Sequence, residues 1–258
     1  MQGLQNTFKR VAAAVMFFTR LPLWRVVKVE SRYFERVVPL WPLAGWLTGG
    51  VSALTCWAGL RVGLTASVAT LLAILARTLL TGALHEDGLA DFCDGMGGGT
   101  DRDSTLRIMK DSHIGTYGVL GLVFYELLLW QTLSALVGRG MSPLMLLAGD
   151  ALAKWFASTM LYFLPYARNA AEAKNRLVYV RTPWSERLMS LLLGVAPMAL
   201  VWREASVVGV VMAAAALWLL VTWMRRRLAG YTGDCCGATF LVVELVFFVT
   251  LLTERCMR

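Results

Sequence analysis

The chain has 258 residues, of which 57% are hydrophobic and only 16% are charged, and its mean hydropathy is +0.59. Soluble globular domains usually have about 25% charged residues, so this composition excludes an ordinary soluble enzyme and indicates a protein embedded in lipid. The net charge of +8 does not indicate a nucleic-acid partner, because basic loops beside anionic lipid produce the same excess in membrane proteins. We therefore predict one integral membrane domain over residues 1–258.

The first apolar segment, residues 8–23, is interrupted by Arg20 and Pro22. No small-residue cleavage site follows it, so we do not interpret it as a signal peptide. Lys9 and Arg10 at its start are typical of a helix that lies at the membrane surface. The segment is predicted to be an N-terminal interfacial or re-entrant helix, with a short first span as the alternative.

Seven further apolar runs approach the ~20 residues that a membrane span needs, although the fifth is short. They cover residues 37–60, 64–84, 114–137, 143–164, 188–201, 205–224 and 238–252. Alternate loops are long and basic, and together these hold 15 of the 25 Lys and Arg residues; they are 25–36, 85–113, 166–187 and 225–237. The positive-inside rule places these loops in the cytoplasm. The predicted fold is an all-α, polytopic transmembrane helix bundle of about seven spans.

The loop 85–113 differs from the others, because it contains seven of the 17 acidic residues and both histidines. Asp87, Asp91 and Asp94 are spaced i, i+4 and i+7, so they share one face if the second span continues as a helix. Carboxylates so placed repel one another, and hard oxygen ligands suit Mg²⁺, Mn²⁺ or Ca²⁺. We predict that these three residues hold a divalent metal, with Glu86 as a further ligand. The alternative is a solvated acidic helix end.

Polar residues near the acids are candidates for binding an anionic, metal-bridged ligand. Arg102 and Lys110 follow the acidic stretch, although the usual cation excess of cytoplasmic loops also accounts for basic residues there. His85 is a candidate general base or a partner of a metal ligand, and a structural histidine is the alternative. Asp234 lies just before the last span and is a further polar candidate.

Three charged residues fall inside predicted spans, where charges are functional candidates by default. Asp150 and Lys154 are four residues apart and are predicted to pair, while Arg77 either snorkels or meets an anion. The roles of these three residues stay open. A zinc site is a weaker alternative for the metal, because its ligands would follow no zinc pattern; they would be His85, Cys93, Cys235 and Cys236.

Several motifs occur in a fixed order between residues 17 and 244. They are Phe17-Phe18-Thr19-Arg20-Leu21-Pro22; His85-Glu86-Asp87-Gly88-Leu89-Ala90-Asp91 with Asp94-Gly95; Asp101-Arg102; Ile108-Met109-Lys110-Asp111-Ser112; Ile114-Gly115-Thr116-Tyr117-Gly118; and Thr232-Gly233-Asp234 with Gly237-Ala238 and Glu244. This set resembles the cobalamin synthases, the adenosylcobinamide-GDP ribazoletransferases. His113 departs from the family pattern, which often has arginine there.

The resemblance implies that adenosylcobinamide-GDP and α-ribazole, or its 5′-phosphate, are joined to adenosylcobalamin, or its 5′-phosphate, with release of GMP. This reaction is a late step of vitamin B12 biosynthesis. The resemblance also implies a Mg²⁺-dependent transferase in the cell inner membrane, with its active-site loop facing the cytoplasm. The implied catalytic residues are His85, Asp87, Asp91 and Asp94. The implied substrate-binding residues are Arg102, Lys110, Asp111, Ser112, Thr116 and Asp234. The sequence leaves open whether copies of the chain form a homo-oligomer.

Two other functions remain alternatives at this point. CDP-alcohol phosphotransferases also use an acid-rich helix motif, but they carry arginine after the alanine where this chain has Asp91. A cation-coupled transporter would also need acidic residues, although transporter sites usually lie near the membrane midplane between repeats, and we find no repeat here. A non-catalytic scaffold would not need so many acids.

Overall fold

The computed structural model describes residues 2–168 and 182–257, and these are mainly helical. The α-helices are α1 (Gln2–Phe18), α2 (Ser31–Phe34), α3 (Trp41–Arg61), α4 (Ala66–Thr81), α5 (Leu84–Gly98), α6 (Arg102–Ile108), α7 (Thr116–Gly138), α8 (Leu144–Phe163), α9 (Trp184–Val195), α10 (Val207–Leu228) and α11 (Gly233–Met257). Short 3₁₀ helices cover Leu23–Arg25, Val38–Leu40 and Ala196–Val201. The predicted all-α fold is confirmed.

Six helical stretches of the described chain are long and apolar enough to cross a membrane. They are Val38–Arg61, Thr116–Gly138, Leu144–Phe163, Trp184–Val201, Val207–Leu228 and Gly233–Met257. Each overlaps one of the predicted spans, and the bent pair formed by α4 and α5 would be the seventh. The helix α1 is not among these candidate spans, in agreement with an N-terminal helix of a different kind.

The second span does not continue into the acidic residues, although their spacing allows a continuous helix. The helices α4 and α5 meet at an angle of 89°, so the acidic residues do not continue the span but lie on a separate helix across its end. The backbone turns at Gly82 (φ 67°) and Ala83 (φ 60°), both in the left-handed region that commonly terminates helices. The side chain of Arg20 packs against Gly82, where an added Cβ would overlap it. Much of the segment predicted as a loop is therefore helical, in α5 and α6.

The closest packing in the membrane region involves α3 and α8. An added Cβ at Gly45 would lie 2.7 Å from Ala151 Cα, and one at Gly49 would lie 2.8 Å from Leu147 Cα. Small residues four apart allow two helix backbones to approach closely in this way. The spacing of Gly45 and Gly49 is the GxxxG pattern that predicts close helix packing, and the structure confirms that packing.

Candidate active site

A cavity of about 220 Å³ opens where α5 meets the first turns of α11. Its inner wall is mostly aromatic and includes Phe17, Phe18, Trp41, His85, Lys154 and Phe240. Its outer wall is polar and includes Asp87, Tyr166, Arg168, Tyr231 and Asp234. The cavity therefore joins an apolar interior to a mouth with charges of both signs.

Two glycines allow α5 and α11 to cross at this cavity. A Cβ added to Gly88 would lie 3.1 Å from the carbonyl oxygen of Asp234, and one at Gly237 would lie 3.0 Å from the carbonyl oxygen of His85. These distances are tighter than ordinary van der Waals contact with backbone atoms, so a larger residue would force the helices apart. The close crossing brings the motif around His85 next to the motif around Asp234, although about 150 residues separate them in the sequence.

The charged groups at the mouth come from three parts of the chain. Asp87 is exposed on the first turn of α5, and Asp234 is buried at the start of α11. Arg168 lies opposite, after α8, and its Nη2 donates to the carbonyl of Leu106 at 3.1 Å. Carboxylates beside a guanidinium can bind a metal ion and phosphate oxygens together.

Two tyrosines, Tyr166 and Tyr231, line the same mouth. Backbone hydrogen bonds connect the two segments that carry them. The amide of Tyr231 donates to Pro165 O at 2.9 Å, and the amide of Ala167 donates to Tyr231 O at 2.8 Å. Burial raises the pKa of both Tyr166 and Tyr231. Both phenols therefore remain protonated at neutral pH and can donate hydrogen bonds to an anion.

A buried network of charges lies beneath the cavity. Lys154 pairs with Asp150, as predicted from their spacing, and both residues also hydrogen-bond Thr48. Arg77 meets anions rather than snorkelling, because its Nη1 lies 2.5 Å from Glu244 Oε1 and 3.8 Å from Asp150 Oδ2. Two cations and two anions thus neutralise one another, and Lys154 reaches the cavity wall.

The three aspartates of α5 do not converge on one point. The Asp94 carboxylate is buried against the start of α7, where it accepts the amides of Gly115 at 2.7 Å and Gly118 at 2.8 Å. Amides at a helix N-terminus lack intrahelical partners, which explains why a carboxylate is held there. Asp94 therefore caps α7, a role that the sequence did not suggest. Asp91 is half-buried between the capping Asp94 and the exposed Asp87.

Metal ligation by these residues stays a prediction. Over residues 2–168 and 182–257, no three His, Cys, Asp or Glu side chains are grouped so that they could hold a metal ion. Glu86 is buried away from the cavity mouth, with Oε1 at 3.5 Å from Thr78 Oγ1. The zinc alternative finds no support in the same part of the chain, because His85, Cys93, Cys235 and Cys236 form no such group there.

The remaining predicted substrate-binding residues lie outside the cavity wall. Arg102 donates to Leu228 O at 3.0 Å and to Ala167 O at 2.5 Å, so it joins three segments on the side of the cavity mouth. Asp111 accepts the Nδ1 of His113 at 2.7 Å, an interaction that lowers the Asp111 pKa. The other three are exposed on or beside the start of α7; they are Lys110, Ser112 and Thr116.

Several cavity residues were missed as site residues by the sequence reasoning. Arg168 was counted only as one of the cations of a basic loop, and Phe240 was counted only as part of an apolar span. An aromatic side chain in a span has the same pattern whether it packs in the core or lines a cavity. For Phe17 and Phe18 a signal did exist, because they belong to the N-terminal motif that carried the family resemblance.

Known proteins resemble this chain over almost its whole length. A family model described as cobalamin-5-phosphate synthase matches residues 10–252. A Ralstonia pickettii protein named adenosylcobinamide-GDP ribazoletransferase is 37% identical over 98% of both chains. A Shewanella amazonensis protein of the same name is 37% identical over 96% of this chain and 97% of its own. No solved structure matches. The chain belongs to the cobalamin-5-phosphate synthase family.

Proposed function

We propose that this protein joins adenosylcobinamide-GDP to α-ribazole, or to α-ribazole 5′-phosphate, and releases GMP in a late step of cobalamin synthesis. One structural observation carries the proposal: α5 and α11 bring two distant family motifs to one cavity, with Asp87, Asp234 and Arg168 at its mouth. The names of the Ralstonia and Shewanella relatives support the same reaction. Neither comparison favours a CDP-alcohol phosphotransferase or a transporter.

The reaction is a displacement at phosphorus. The 3′-hydroxyl oxygen of the ribazole forms a bond to the cobinamide-side phosphorus, and the bond from that phosphorus to the bridging oxygen breaks. GMP leaves with the bridging oxygen, and the hydroxyl proton passes to water. Such a displacement depends on alignment and on neutralisation of charge more than on covalent catalysis. Arg168 is placed to bind phosphate oxygens, and Lys154 of the buried network forms part of the inner wall.

We further propose that the enzyme uses Mg²⁺. Asp87 and Asp234 face the same cavity, and Mg²⁺ is usually held by one or two carboxylates together with substrate phosphates and water. The two residues therefore fit this ion without a complete set of protein ligands. When bound, Mg²⁺ would neutralise charge on the pyrophosphate. Asp91 is a further candidate ligand on the same helix.

The proposed location in the cell rests on the hydropathy of the helices and on the charge of the loops. The apolar helices require a lipid bilayer, and the basic loops favour a cytoplasmic position for the loops around the cavity mouth. We propose that the protein lies in the cell inner membrane with α5 on the cytoplasmic side. Soluble nucleotides would then reach the cavity directly from the cytoplasm.

A GMP-release assay with purified protein tests the function. Release should require adenosylcobinamide-GDP, α-ribazole and Mg²⁺ together. Asp87→Asn and Asp234→Asn should each lower turnover by about 100-fold or more, because each removes charge stabilisation at the reacting phosphates. Asp103→Asn is the matched control, since its carboxylate is 91% exposed and does not line the cavity. Turnover near that of the wild type in both site variants would contradict the assignment.

A further inference from the structure

The imidazole of His85 is a buried polar group on the cavity wall. The residue is only 4% exposed, yet neither ring nitrogen has a hydrogen-bond partner within the described chain. A buried polar group without a partner costs free energy, and such groups are rare in folded proteins. The histidine lines the cavity, so a bound ligand can supply the missing hydrogen bond.

The surroundings of His85 determine which ligand fits. Its ring is stacked on Phe18, with centroids 5.7 Å apart and planes 13° apart, and its centroid lies 4.5 Å from that of Phe240. Trp41 meets Phe18 edge-on, with ring centroids 5.4 Å apart. Aromatic walls of this kind favour another flat aromatic ring over a flexible chain or a sugar.

Lys154 holds this aromatic wall in place. Its Nζ lies 3.9 Å from the centroid of the Phe240 ring, a distance typical of a cation–π interaction. The ammonium group has three N–H donors, and Asp150, Thr48 and the Phe240 ring together occupy them, so it is not a partner for a polar ligand. The two ring nitrogens of His85, in contrast, keep their hydrogen-bonding capacity for a ligand.

The size of the cavity further limits which ligand it can hold. Sites for drug-sized ligands usually enclose roughly 300–1,000 Å³. The cavity here measures about 220 Å³, so it can hold a base with part of its ribose but not the corrin macrocycle.

We propose that this aromatic slot binds the base of the nucleoside acceptor, and that His85 donates a hydrogen bond to the one free ring nitrogen of that base. The inference rests on the proposed function, because it assigns the acceptor of that reaction to a place in the cavity. The benzimidazole of α-ribazole has two aromatic faces and a single ring nitrogen that accepts a hydrogen bond. Guanine fits poorly, since its several N–H and carbonyl groups would face apolar rings without partners. His85 then recognises the base rather than removing a proton.

Steady-state kinetics of the full-length protein in liposomes test this assignment. The probes are α-ribazole and its indole analogue, in which a C–H replaces the accepting ring nitrogen, at saturating adenosylcobinamide-GDP. The wild-type protein should have a KM for the indole nucleoside that is about 10-fold or more above that for α-ribazole, because the His85 donor loses its acceptor. Equal values of kcat/KM for the two nucleosides would overturn the proposal, and this measurement needs no variant.

The variant His85→Leu should raise KM for α-ribazole by about 10-fold or more, keep most of kcat, and no longer distinguish the two nucleosides. His85→Asn, which retains a donor, should recover part of the discrimination. His113→Leu is the matched control, because the side chain of His113 is 90% exposed and lies outside the cavity. A fall in kcat with KM unchanged would overturn the proposal in favour of proton transfer by His85.

These outcomes separate the inference from the function on which it rests. If the wild-type protein releases no GMP with α-ribazole, the proposed function fails. If release is normal but His85→Leu discriminates between the two nucleosides as the wild type does, only the base-binding role of His85 fails.

Discussion

Arg77 on α4 and Glu244 on α11 form an ion pair in which Nη1 and Oε1 are 2.5 Å apart. Both side chains are almost completely buried, at 6% and 2% exposure. The hydroxyl of Tyr125 on α7 lies 3.1 Å from each partner, accepting from Arg77 and donating to Glu244. This cluster of polar contacts therefore links α4, α7 and α11 inside the bundle.

Removal of one partner should destabilise the bundle strongly. We expect Glu244→Leu to lower the free energy of unfolding by roughly 3–5 kcal/mol, because it leaves the Arg77 charge buried with insufficient compensation. The double variant with Arg77→Leu should be less destabilised than the sum of the single variants. Thermal unfolding in detergent measures both. The control is Glu30→Gln at the exposed Lys9–Glu30 pair, which should leave the melting temperature unchanged. Additive effects in the double variant would contradict this interpretation.

The capping role of Asp94 leads to a second prediction. Asparagine at this position offers one acceptor oxygen for the two amides of Gly115 and Gly118, so one donor loses its partner. We expect Asp94→Asn to cost about 1–3 kcal/mol of stability, with no change in the Mg²⁺ concentration that gives half-maximal GMP release. Thermal unfolding and a Mg²⁺ titration measure the two quantities. A Mg²⁺ requirement raised by about 10-fold or more would instead assign Asp94 to the metal, as the sequence analysis predicted.

Neighbouring glycines in α3 provide a third prediction with an internal control. A Cβ at Gly49 would press on the backbone of Leu147, whereas a Cβ at Gly50 would lie 3.7 Å from a side-chain methyl of the same residue. We expect Gly49→Ala to lower stability by about 1–3 kcal/mol through overpacking, and Gly50→Ala to leave it unchanged. Thermal unfolding of the two proteins side by side checks this. Equal melting temperatures would show that the contact between α3 and α8 can relax.

The stability of the first turn of α6 should fall as the pH is lowered. Asp101 caps this helix by accepting the amide of Ser104 at 2.8 Å, and this hydrogen bond holds the Asp101 pKa below its ordinary value. Because the folded-state pKa is lowered, the stabilisation is present at neutral pH and is lost as the pH falls through that pKa. We expect Asp101→Ala to speed hydrogen exchange at Ser104 and Thr105 at pH 7. The difference from the wild type should disappear in acid, and Asp103→Ala should have a smaller effect.

The sequence predicted those contacts that the geometry of a single helix determines. The pair Asp150–Lys154 followed from a spacing of four residues, and the close packing at Gly45 and Gly49 followed from the same periodicity. The spans were predictable because length and hydropathy decide them.

The parts that the sequence did not predict depend on contacts between distant segments. Ala83 adopts a left-handed conformation that alanine rarely takes, and the packing of Arg20 at the neighbouring Gly82 accompanies this bend. The sequence showed that Asp94 is acidic but not what it binds, because the amides that donate to it belong to residues 21 and 24 positions further along the chain. In the sequence Phe240 is one more apolar residue of a span, and only the structure shows that its ring lies beside His85.

The bend at Gly82 and Ala83 also makes the protein intolerant of changes in chain length at this point. Only two residues separate α4 from α5, and Asp87 follows the bend by a single helical turn. Each residue advances an α-helix by about 100°, so one residue inserted between His85 and Asp87 would rotate the start of the acidic helix by that angle relative to the rest. Such an insertion would turn His85 away from Phe240, or else Asp87 away from Asp234. The number of residues after the bend therefore matters as much as their identity, because it sets the direction in which each side chain points.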